Sequence, residues 1–535
     1  MNLARTLRRL SIWISLCVTV VGVVSFSAAD DFRYWTTSKG ERSAVKLKVV
    51  EHEEDRVTLQ REDNARQVTI GVDILSAADR QYLTAREEPV VAADTPQTIT
   101  RRVVGYRNDG TGVYPDAHPP TRWSAEENVV WKTELPFNGP HQHNLSSPLI
   151  VGDRIFVVTD PAELVCIDRK TGGVLWQKSN GYEQAMTDDE YAAVQRDWAR
   201  VDEIEKEKSE IYKKAREAGE GTDEARAFHQ QIRVLDDERG ERMRHYRPNR
   251  NENRPDMQGN TAAIPASDGR HVAAVFGTGV TAVYTLEGEQ KWIKALGGAH
   301  QHHGVCASPL VVDGMLITKR QEKILALEME SGEERWSTEL EYRHSSPILA
   351  NYQGEKIIVT GSRGILRASG EHLFNIRQSH WKMNCSNGSP LVAGDKFYYI
   401  NDQLLAYDLS EEAPRRPVWE SSKSVRDHLG SPLLVDGIFY VLMKTGIIHA
   451  IDAEDGETVY SKRLGLEGNC YSDPVYAAGN IYVSSTSGTT IVFKAGRQYE
   501  KVAENSLGEP YGRALTLADN RIYIQGQKHL YCISN

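Results

Sequence analysis

A residue pair ending in proline, followed by a short hydrophobic strand and a glycine turn, recurs seven times along this chain. The pairs are Ser147-Pro148, Ile264-Pro265, Ser308-Pro309, Ser346-Pro347, Ser389-Pro390, Ser431-Pro432 and Asp473-Pro474. After a first gap of 117 residues, the prolines are 44, 38, 43, 42 and 42 residues apart. A period of this length indicates supersecondary units that bury their faces only against neighbouring copies. The repeat therefore sets the architecture of most of the chain.

Each repeat has the same internal order of four short strands joined by tight turns rich in Asp and Gly. The first copy runs from Pro148 through Arg154–Thr159 and Leu164–Asp168 to Val174–Trp176. Four antiparallel strands, repeated radially, predict a β-propeller blade. We further predict that a recurring aromatic residue at the end of the blades packs between neighbours. This residue is Trp176, Trp292, Trp336, Trp419 or Tyr460.

A degenerate eighth copy lies 42 residues beyond the last proline, at Leu515-Thr516, and the chain ends at Asn535 before a fourth strand. Val129–Lys132 precedes the first repeat and supplies a candidate for that strand. We therefore predict that the two ends of the ring pair within one blade, which removes the free edge. The result is an eight-bladed propeller over residues 104–535.

The long first gap contains a charged stretch, Asp188–Tyr246, that interrupts the strand pattern. Thr222 follows a glycine-containing break and has the side chain of a helix N-cap. We predict an inserted α-helical hairpin at residues 183–255, between blades 1 and 2. A solvated arm and a partner-docking element are both open as its role.

The first 29 residues have the composition of an export signal. Arg5, Arg8 and Arg9 precede the apolar stretch Leu10–Val24, and Ser27–Ala29 is a small-residue cleavage site. An uncleaved membrane anchor is the alternative, although 15 apolar residues are short for a span. We expect an exported protein located in the periplasm, in the cell envelope or outside the cell, with no transmembrane segment after cleavage.

The pattern of residues 30–86 predicts a small β domain, and that of residues 87–103 predicts a linker. The half-buried strand patterns are Ala44–Leu47, Val57–Leu59 and Val68–Ile70, and Ser76 can cap a short helix. Arg33-x-Trp35-Thr36 and Leu75-Ser76-x-x-Asp79 resemble the Sla-one homology domain. That resemblance implies an SH3-like β-barrel, and the combination with a propeller resembles exported proteins of planctomycete-type bacteria.

Charge and cysteine content exclude several classes of function. The net charge of −10 argues against a general nucleic-acid-binding protein, which needs a basic face. Outside the leader, five cysteines at distant spacings do not form a disulfide framework. Cys166 and Cys532 occupy matching positions in adjacent blades, so core packing and a disulfide that staples the ring closure are both open. We expect a monomer.

The spacing of Asp168, Gly172 and Trp176 resembles the pyrroloquinoline-quinone (PQQ) dehydrogenase-like repeat. That family includes quinoprotein dehydrogenases and non-catalytic scaffolds such as the outer-membrane assembly lipoprotein BamB. In the enzymes, the resemblance implies PQQ with calcium, a vicinal Cys-Cys disulfide, a Glu/Asn/Asp calcium cage and a Trp floor. This sequence has no adjacent cysteines.

The loops that precede the first strands of the blades are rich in His, Asn, Cys and Tyr. Because the blades are equivalent, we predict that these loops share one face, which we call the entry face. Its candidate binding residues are His143, Asn144, His302, His303, Arg343, His344, His380, Trp381, Asn384, His428, Tyr471 and Arg513. Three interpretations of these polar side chains are open: they form hydrogen bonds to backbone groups of the loops, they form a ligand or peptide site, or they form a metal site. The candidate metal ligands are His303, Cys306 and His344.

The sequence favours an exported, non-catalytic propeller that binds a protein, peptide or envelope partner through the entry face. The alternative function is a PQQ- or metal-dependent oxidoreductase that uses the same face. A third hypothesis makes the Sla-one-like unit the binding module and the propeller a spacer.

Overall fold

The computed structural model describes residues 36–39, 43–45, 47–53, 56–61, 63–64, 66–76, 79, 105–136, 146–243, 262–297, 307–320, 323–340, 345–360, 365–374, 388–410 and 416–535. The chain divides into two compact units, residues 1–97 and residues 98–535. The larger unit is an all-β propeller of eight four-stranded antiparallel sheets. The predicted all-β, eight-bladed propeller is confirmed.

Seven blades are each formed by four strands in chain order. Blades 1 to 3 comprise Leu149–Val151, Arg154–Thr159, Glu163–Asp168 and Val174–Ser179; Ala266–Ser267, His271–Val275, Val280–Thr285 and Gln290–Ala295; and Leu310–Val312, Met315–Arg320, Lys323–Glu328 and Glu334–Glu339. Blades 4 and 5 comprise Ile348–Tyr352, Glu355–Val359, Ile365–Arg367 and His372–Phe374; and Leu391–Ala393, Lys396–Ile400, Leu404–Asp408 and Trp419–Glu420. Blades 6 and 7 comprise Leu433–Val435, Ile438–Leu442, Ile447–Asp452 and Thr458–Arg463; and Val475–Ala477, Asn480–Ser484, Thr489–Lys494 and Lys501–Ser506.

Blade 8 joins the two ends of the ring. It comprises Thr516–Ala518, Arg521–Gln525, His529–Ile533 and Val129–Glu134. Tyr531 pairs with Lys132 and Cys532 with Trp131 across the closing ladder. The prediction that an upstream strand completes the last blade is confirmed.

The serine of the recurring Ser-Pro pair joins one blade to the next. The amide of Ser308 donates to Ser346 Oγ at 2.9 Å, and the amide of Ser346 donates to Ser389 Oγ at 2.9 Å. The same bond links Ser389 to Ser431 at 2.6 Å. The flanking links run from Ile264 to Ser308 at 2.9 Å and from Ser431 to Asp473 Oδ1 at 2.5 Å. Five links therefore connect blades 2 to 7, and we call this chain of bonds the serine ring.

The closing aromatic residues pack between adjacent blades, as predicted. Trp292 of blade 2 donates its indole N–H to the carbonyl of Met329 in blade 3 at 2.9 Å. Gly332 has φ of +68°, and a Cβ there would lie 2.7 Å from the Trp292 ring. Only glycine combines that backbone conformation with so close an approach. Trp176, Trp336 and Trp419 lie against Gly288, Gly370 and Gly456 in the same way.

The insertion between blades 1 and 2 contains helices α1 (Tyr182–Ala185), α2 (Asp188–Glu217) and α3 (Asp223–Arg242). Thr222 caps α3 by accepting a hydrogen bond from the amide of Ala225, as predicted. Arg200 pairs with Glu238, and Lys208 with Asp236, across α2 and α3. The root is fixed because the Tyr182 hydroxyl donates to the carbonyl of Thr278 at 2.6 Å. In the part of the chain that the structure describes, no helix has the length and apolarity to cross a membrane.

The smaller unit contains a three-stranded antiparallel sheet of Leu47–Glu53, Arg56–Arg61 and Gln67–Gly71, followed by a 3₁₀ turn at Val72–Ile74. Val57, Leu59 and Leu75 are buried in its small core. The Ser76 hydroxyl accepts from the amide of Asp79 at 3.1 Å, which is the predicted capping contact. The described residues form a sheet, and a closed barrel stays a prediction. The proposed leader, residues 1–29, lies outside the described residues.

The thiols of Cys166, Cys470 and Cys532 are free and buried. Cys166 packs in the core that blade 1 shares with blade 2, and Cys532 in the core that blade 8 shares with blade 1. The two thiols therefore lie on opposite sides of a blade, and the disulfide alternative for ring closure is wrong.

Candidate functional site

The centre of the ring is occupied by the chain itself, at Gly105–His118, which we call the plug segment. The Tyr106 hydroxyl lies 2.6 Å from Ser431 Oγ and donates to Asp473 Oδ2 at 3.0 Å. Arg107 Nη1 donates to the carbonyl of Pro432 at 3.0 Å, and its Nη2 donates to the carbonyl of Pro474 at 3.1 Å. The plug segment is thereby bonded to the serine ring and to the prolines that immediately precede the first strands of blades 6 and 7.

The plug segment begins with a tight turn. The amide of each of Gly105 and Asn108 donates to the carbonyl of the other at 3.1 Å. Arg107 and Asn108 have positive φ, +50° and +68°, in this turn. A Cβ at Gly112 would lie 2.5 Å from Arg107 Nη2, so the glycine makes room for the guanidinium.

From this turn the plug segment follows the channel to its other end. Val113 forms a parallel bridge with Tyr476 of blade 7, and the amide of Tyr114 donates to the Tyr476 carbonyl at 2.9 Å. The amide of His118 donates at 2.7 Å to Asp519, in the turn after the first strand of blade 8. The plug segment therefore occupies part of the described channel.

A cavity of about 150 Å³ remains between the plug segment and blades 8, 1 and 2. Its polar lining includes Arg107, Ser147 and Thr516, and Ile264 and Leu515 contribute apolar walls. Arg107 is 3% exposed, and its Nε has no hydrogen-bond acceptor among the described residues. The arrangement places a buried cation beside a small, mostly apolar space.

The two phenols of the plug segment are neutral. Burial raises the pKa of Tyr106, and the Asp473 carboxylate raises it further. Burial also raises the pKa of Tyr114. Neither hydroxyl supplies a negative charge to Arg107 at physiological pH.

His428 is the best-defined of the entry-face candidates, and it is buried. The side chain is 2% exposed, and its Nδ1 bonds the carbonyl of Val425 at 2.8 Å. Burial lowers the pKa of His428 to about 4, so the ring is neutral with its proton on Nδ1. So deeply buried a side chain offers no surface for direct contact, and a role of His428 in binding stays a prediction. Its Nε2 has no partner among the described residues.

Tyr471 and Arg513 are half-buried and precede the first strands of blades 7 and 8. The serine ring places the entries of blades 2 to 7 at one level, which supports a shared face for the loops before them. The remaining candidates lie outside the described residues, so their grouping stays a prediction. They are His143, Asn144, His302, His303, Arg343, His344, His380, Trp381 and Asn384, together with Cys306.

The described residues do not fit PQQ with calcium. They contain no group of three His, Cys, Asp or Glu side chains able to hold a metal ion. The channel cavity of about 150 Å³ is below the roughly 300–1,000 Å³ of pockets that enclose drug-sized ligands. The described thiols are free and lie in separate blades rather than side by side.

Comparison with known proteins identifies one family. The family described as outer membrane protein assembly factor BamB matches residues 122–215, 229–462 and 412–498, more than half of the chain. Two curated proteins named outer membrane protein assembly factor BamB are similar. The one from Marinobacter adhaerens is 27% identical over 175 residues, 32% of this chain, and the one from Legionella pneumophila is 24% identical over 196 residues, 34% of this chain. The chain spans 43% and 49% of those relatives' lengths.

Two solved structures are also similar. BamB from Moraxella catarrhalis has a TM-score of 0.49 and 13% identity, covering 76% of this chain and 97% of that one. Quinohemoprotein alcohol dehydrogenase from Comamonas testosteroni has a TM-score of 0.47 and 10% identity, covering 79% and 78%.

Proposed function

The chain belongs to the family described as outer membrane protein assembly factor BamB, and on that premise we propose that it is a non-catalytic scaffold of the cell envelope. It binds a protein partner through the entry face of its propeller. The two curated relatives carry the name of assembly factors, which supports a role in holding other proteins. An envelope partner agrees with the export signal predicted from residues 1–29.

The observation that carries the proposal is the plug segment. Tyr106 and Arg107 hold the plug segment inside the channel by hydrogen bonds to the surrounding blades. The surfaces left for a partner are therefore the two faces and the rim of the propeller. Loops on a rigid scaffold are the usual place for binding residues. The entry-face loops, rich in His, Arg and Tyr, are therefore the proposed contact surface.

The described thiols support a non-catalytic role. Burial raises the pKa of the Cys166 thiol to about 12 and that of Cys470 to about 11. The thiolate is the nucleophilic form of cysteine, and it is scarce at neutral pH in both residues. These two cysteines serve packing.

Affinity capture with variants of the two faces tests the proposal. In one variant His302 and His303 become Ala, and in the control the exposed turn residues Asp313 and Asp436, at the opposite ends of the first strands, become Ala. We expect the His302/His303 variant to lose a protein that the wild type and the control both retain. Loss in the control alone contradicts the entry face as the contact surface.

We also propose that residues 30–86 form a Sla-one homology-like module. The amide of Thr36 donates to Asp79 Oδ2 at 2.7 Å, and the Ser76 hydroxyl donates to the same oxygen at 3.0 Å. Residues from both ends of the resembling motif thus meet. Asp79→Ala in the full chain should speed proteolysis within this unit and leave the propeller intact; unchanged proteolysis contradicts the role of that contact.

A further inference from the structure

The serine ring is interrupted on one side of the channel. Ile264 in blade 2 and Leu515 in blade 8 occupy the position of the serine, and neither side chain carries an oxygen. In blades 2 to 6 the equivalent amide donates to an oxygen of the following blade. At the junction of blades 1 and 2, the residue equivalent to the accepting serine is Ile264, whose side chain offers the Ser147 amide no oxygen.

The cavity lies at this interruption. Ser147, Ile264 and Leu515 all line it, together with Arg107 from the plug segment. The Ser147 hydroxyl is already used, because it donates to the carbonyl of Ala514 at 2.7 Å. Likewise, Thr516 Oγ1 donates to the carbonyl of Pro148 at 2.7 Å. These two hydroxyls are thus engaged with the protein, whereas Arg107 Nε is a buried donor without an acceptor among the described residues.

Arg107 is a buried cation without a carboxylate partner among the described residues. Its Nη1 and Nη2 each donate a hydrogen bond to a backbone carbonyl oxygen. Its Nε has no acceptor in the part of the chain described. A buried charge is costly unless it is paired and hydrogen-bonded. An anion in the cavity would supply both the charge and the missing acceptor.

We propose that this cavity binds a small monocarboxylate, whose oxygens accept from Arg107 Nε and the Ser147 amide. A carboxylate is the natural partner of a guanidinium. The remaining lining, including Ile264 and Leu515, suits a short alkyl chain. A cavity near 150 Å³ is the size that holds a benzene-sized molecule, so chains of two to about five carbons fit.

The surrounding charges favour a single negative charge on the ligand. Burial raises the pKa of Tyr114, which lines the cavity; Arg107 lowers it in part, and Asp109 and Asp473 add to the rise. The ligand therefore lies near one buried cation and within the field of two carboxylates. A dianion such as phosphate would meet repulsion there.

Thermal unfolding of the full-length chain at pH 7 tests the proposal with acetate, propionate and butyrate against equal concentrations of sodium chloride. We expect Tm to rise with ligand concentration, most for butyrate, because a ligand that binds only the native state stabilises it. Butyramide has the shape of butyrate without its charge and should give no comparable rise. A butyrate effect no larger than that of chloride or butyramide overturns the proposal.

Two isoleucine variants locate the site. Ile264→Thr supplies an oxygen to the Ser147 amide and should weaken butyrate binding about tenfold by calorimetry, since it removes a hydrogen bond to a charged group. Ile348→Thr is the matched control, because Ile348 contacts the plug segment at Gly110, and Ile348 is not among the cavity-lining residues. The control should bind butyrate like the wild type. Undiminished binding in Ile264→Thr, or an equal loss in both variants, contradicts the site.

Discussion

The amide of Ser308 in blade 3 donates a 2.9 Å hydrogen bond to the Oγ of Ser346 in blade 4. Both serines are buried, at 3% and 4% exposure. Because water does not reach the Ser308 amide, the Ser346 hydroxyl supplies the acceptor that the amide needs. The residue that recurs before proline is thus a connector between blades. Repetition of the contact explains why the serine recurs with the proline.

Removal of one connector should weaken the ring. Ser346→Ala leaves the buried amide of Ser308 without its acceptor, at a cost of about 1–3 kcal/mol in the free energy of unfolding. Denaturant titration measures this cost. Ser337→Ala, at an exposed position on the outer strand of blade 3, is the control and should change stability by less than about 0.5 kcal/mol. Equal effects in both variants would contradict the connector role.

A substitution at the contact between Gly332 and Trp292 should also lower the free energy of unfolding. Gly332→Ala adds a Cβ 2.7 Å from the Trp292 ring at a residue with φ of +68°. Gly314→Ala is the matched control, since Gly314 has φ of +78° and nothing within 4 Å of its Cβ. Backbone strain costs each variant about 1 kcal/mol. The Gly332 variant should lose about 1–3 kcal/mol more, from overpacking, and an equal loss in the two variants contradicts packing at the blade junction.

The architecture follows from the sequence because each blade repeats the same local constraints. The Pro spacing, the Asp-Gly turns and the closing Trp residues all report contacts that recur at every junction. The plug segment has no such signal: Arg107 occurs once, and its partners Pro432 and Pro474 lie more than 300 residues away. Its glycines and Asn108 indicate turns, but their position inside the ring depends on tertiary packing. Similarly, the loop composition around His428 does not distinguish a buried imidazole from an exposed one.

His271 should stabilise the folded protein at low pH and lose this contribution as the pH rises. Its Nδ1 lies 2.9 Å from Asp268, and its Nε2 lies 3.1 Å from Glu330 in the neighbouring blade. The hydrogen bond that His271 donates to the Asp268 carboxylate raises the pKa of His271, and the negative charges of Asp268 and Glu330 raise it further. Because the folded pKa is above the unfolded one, this contribution is complete below the unfolded pKa and is lost as pH rises through the folded pKa. Unfolding free energies across pH 5.5 to 8.5 should show this loss in the wild type and not in His271→Asn; identical pH profiles contradict it.

His428 should have the opposite effect on the pH dependence of stability, because its contribution is lost as the pH falls. Burial lowers its pKa to about 4, against about 6.5 in an unfolded chain. The contribution is therefore present above the unfolded pKa and is lost as pH falls toward 4, because the unfolded chain takes up the proton first. The loss amounts to about 2–3 kcal/mol. His428→Asn should flatten the unfolding profile between pH 6.5 and 4, and a profile unchanged from that of the wild type would show that the ring is not held neutral.

The most direct test of the proposed scaffold function is photo-crosslinking in intact cells. A photoreactive amino acid replaces His302 or His380 on the predicted entry face, or Asp436, which is exposed in the turn at the opposite end of the first strand of blade 6. We predict the same protein adduct from positions 302 and 380 and none from position 436. An adduct from position 436 alone, or no protein adduct from any of the three, would contradict the account.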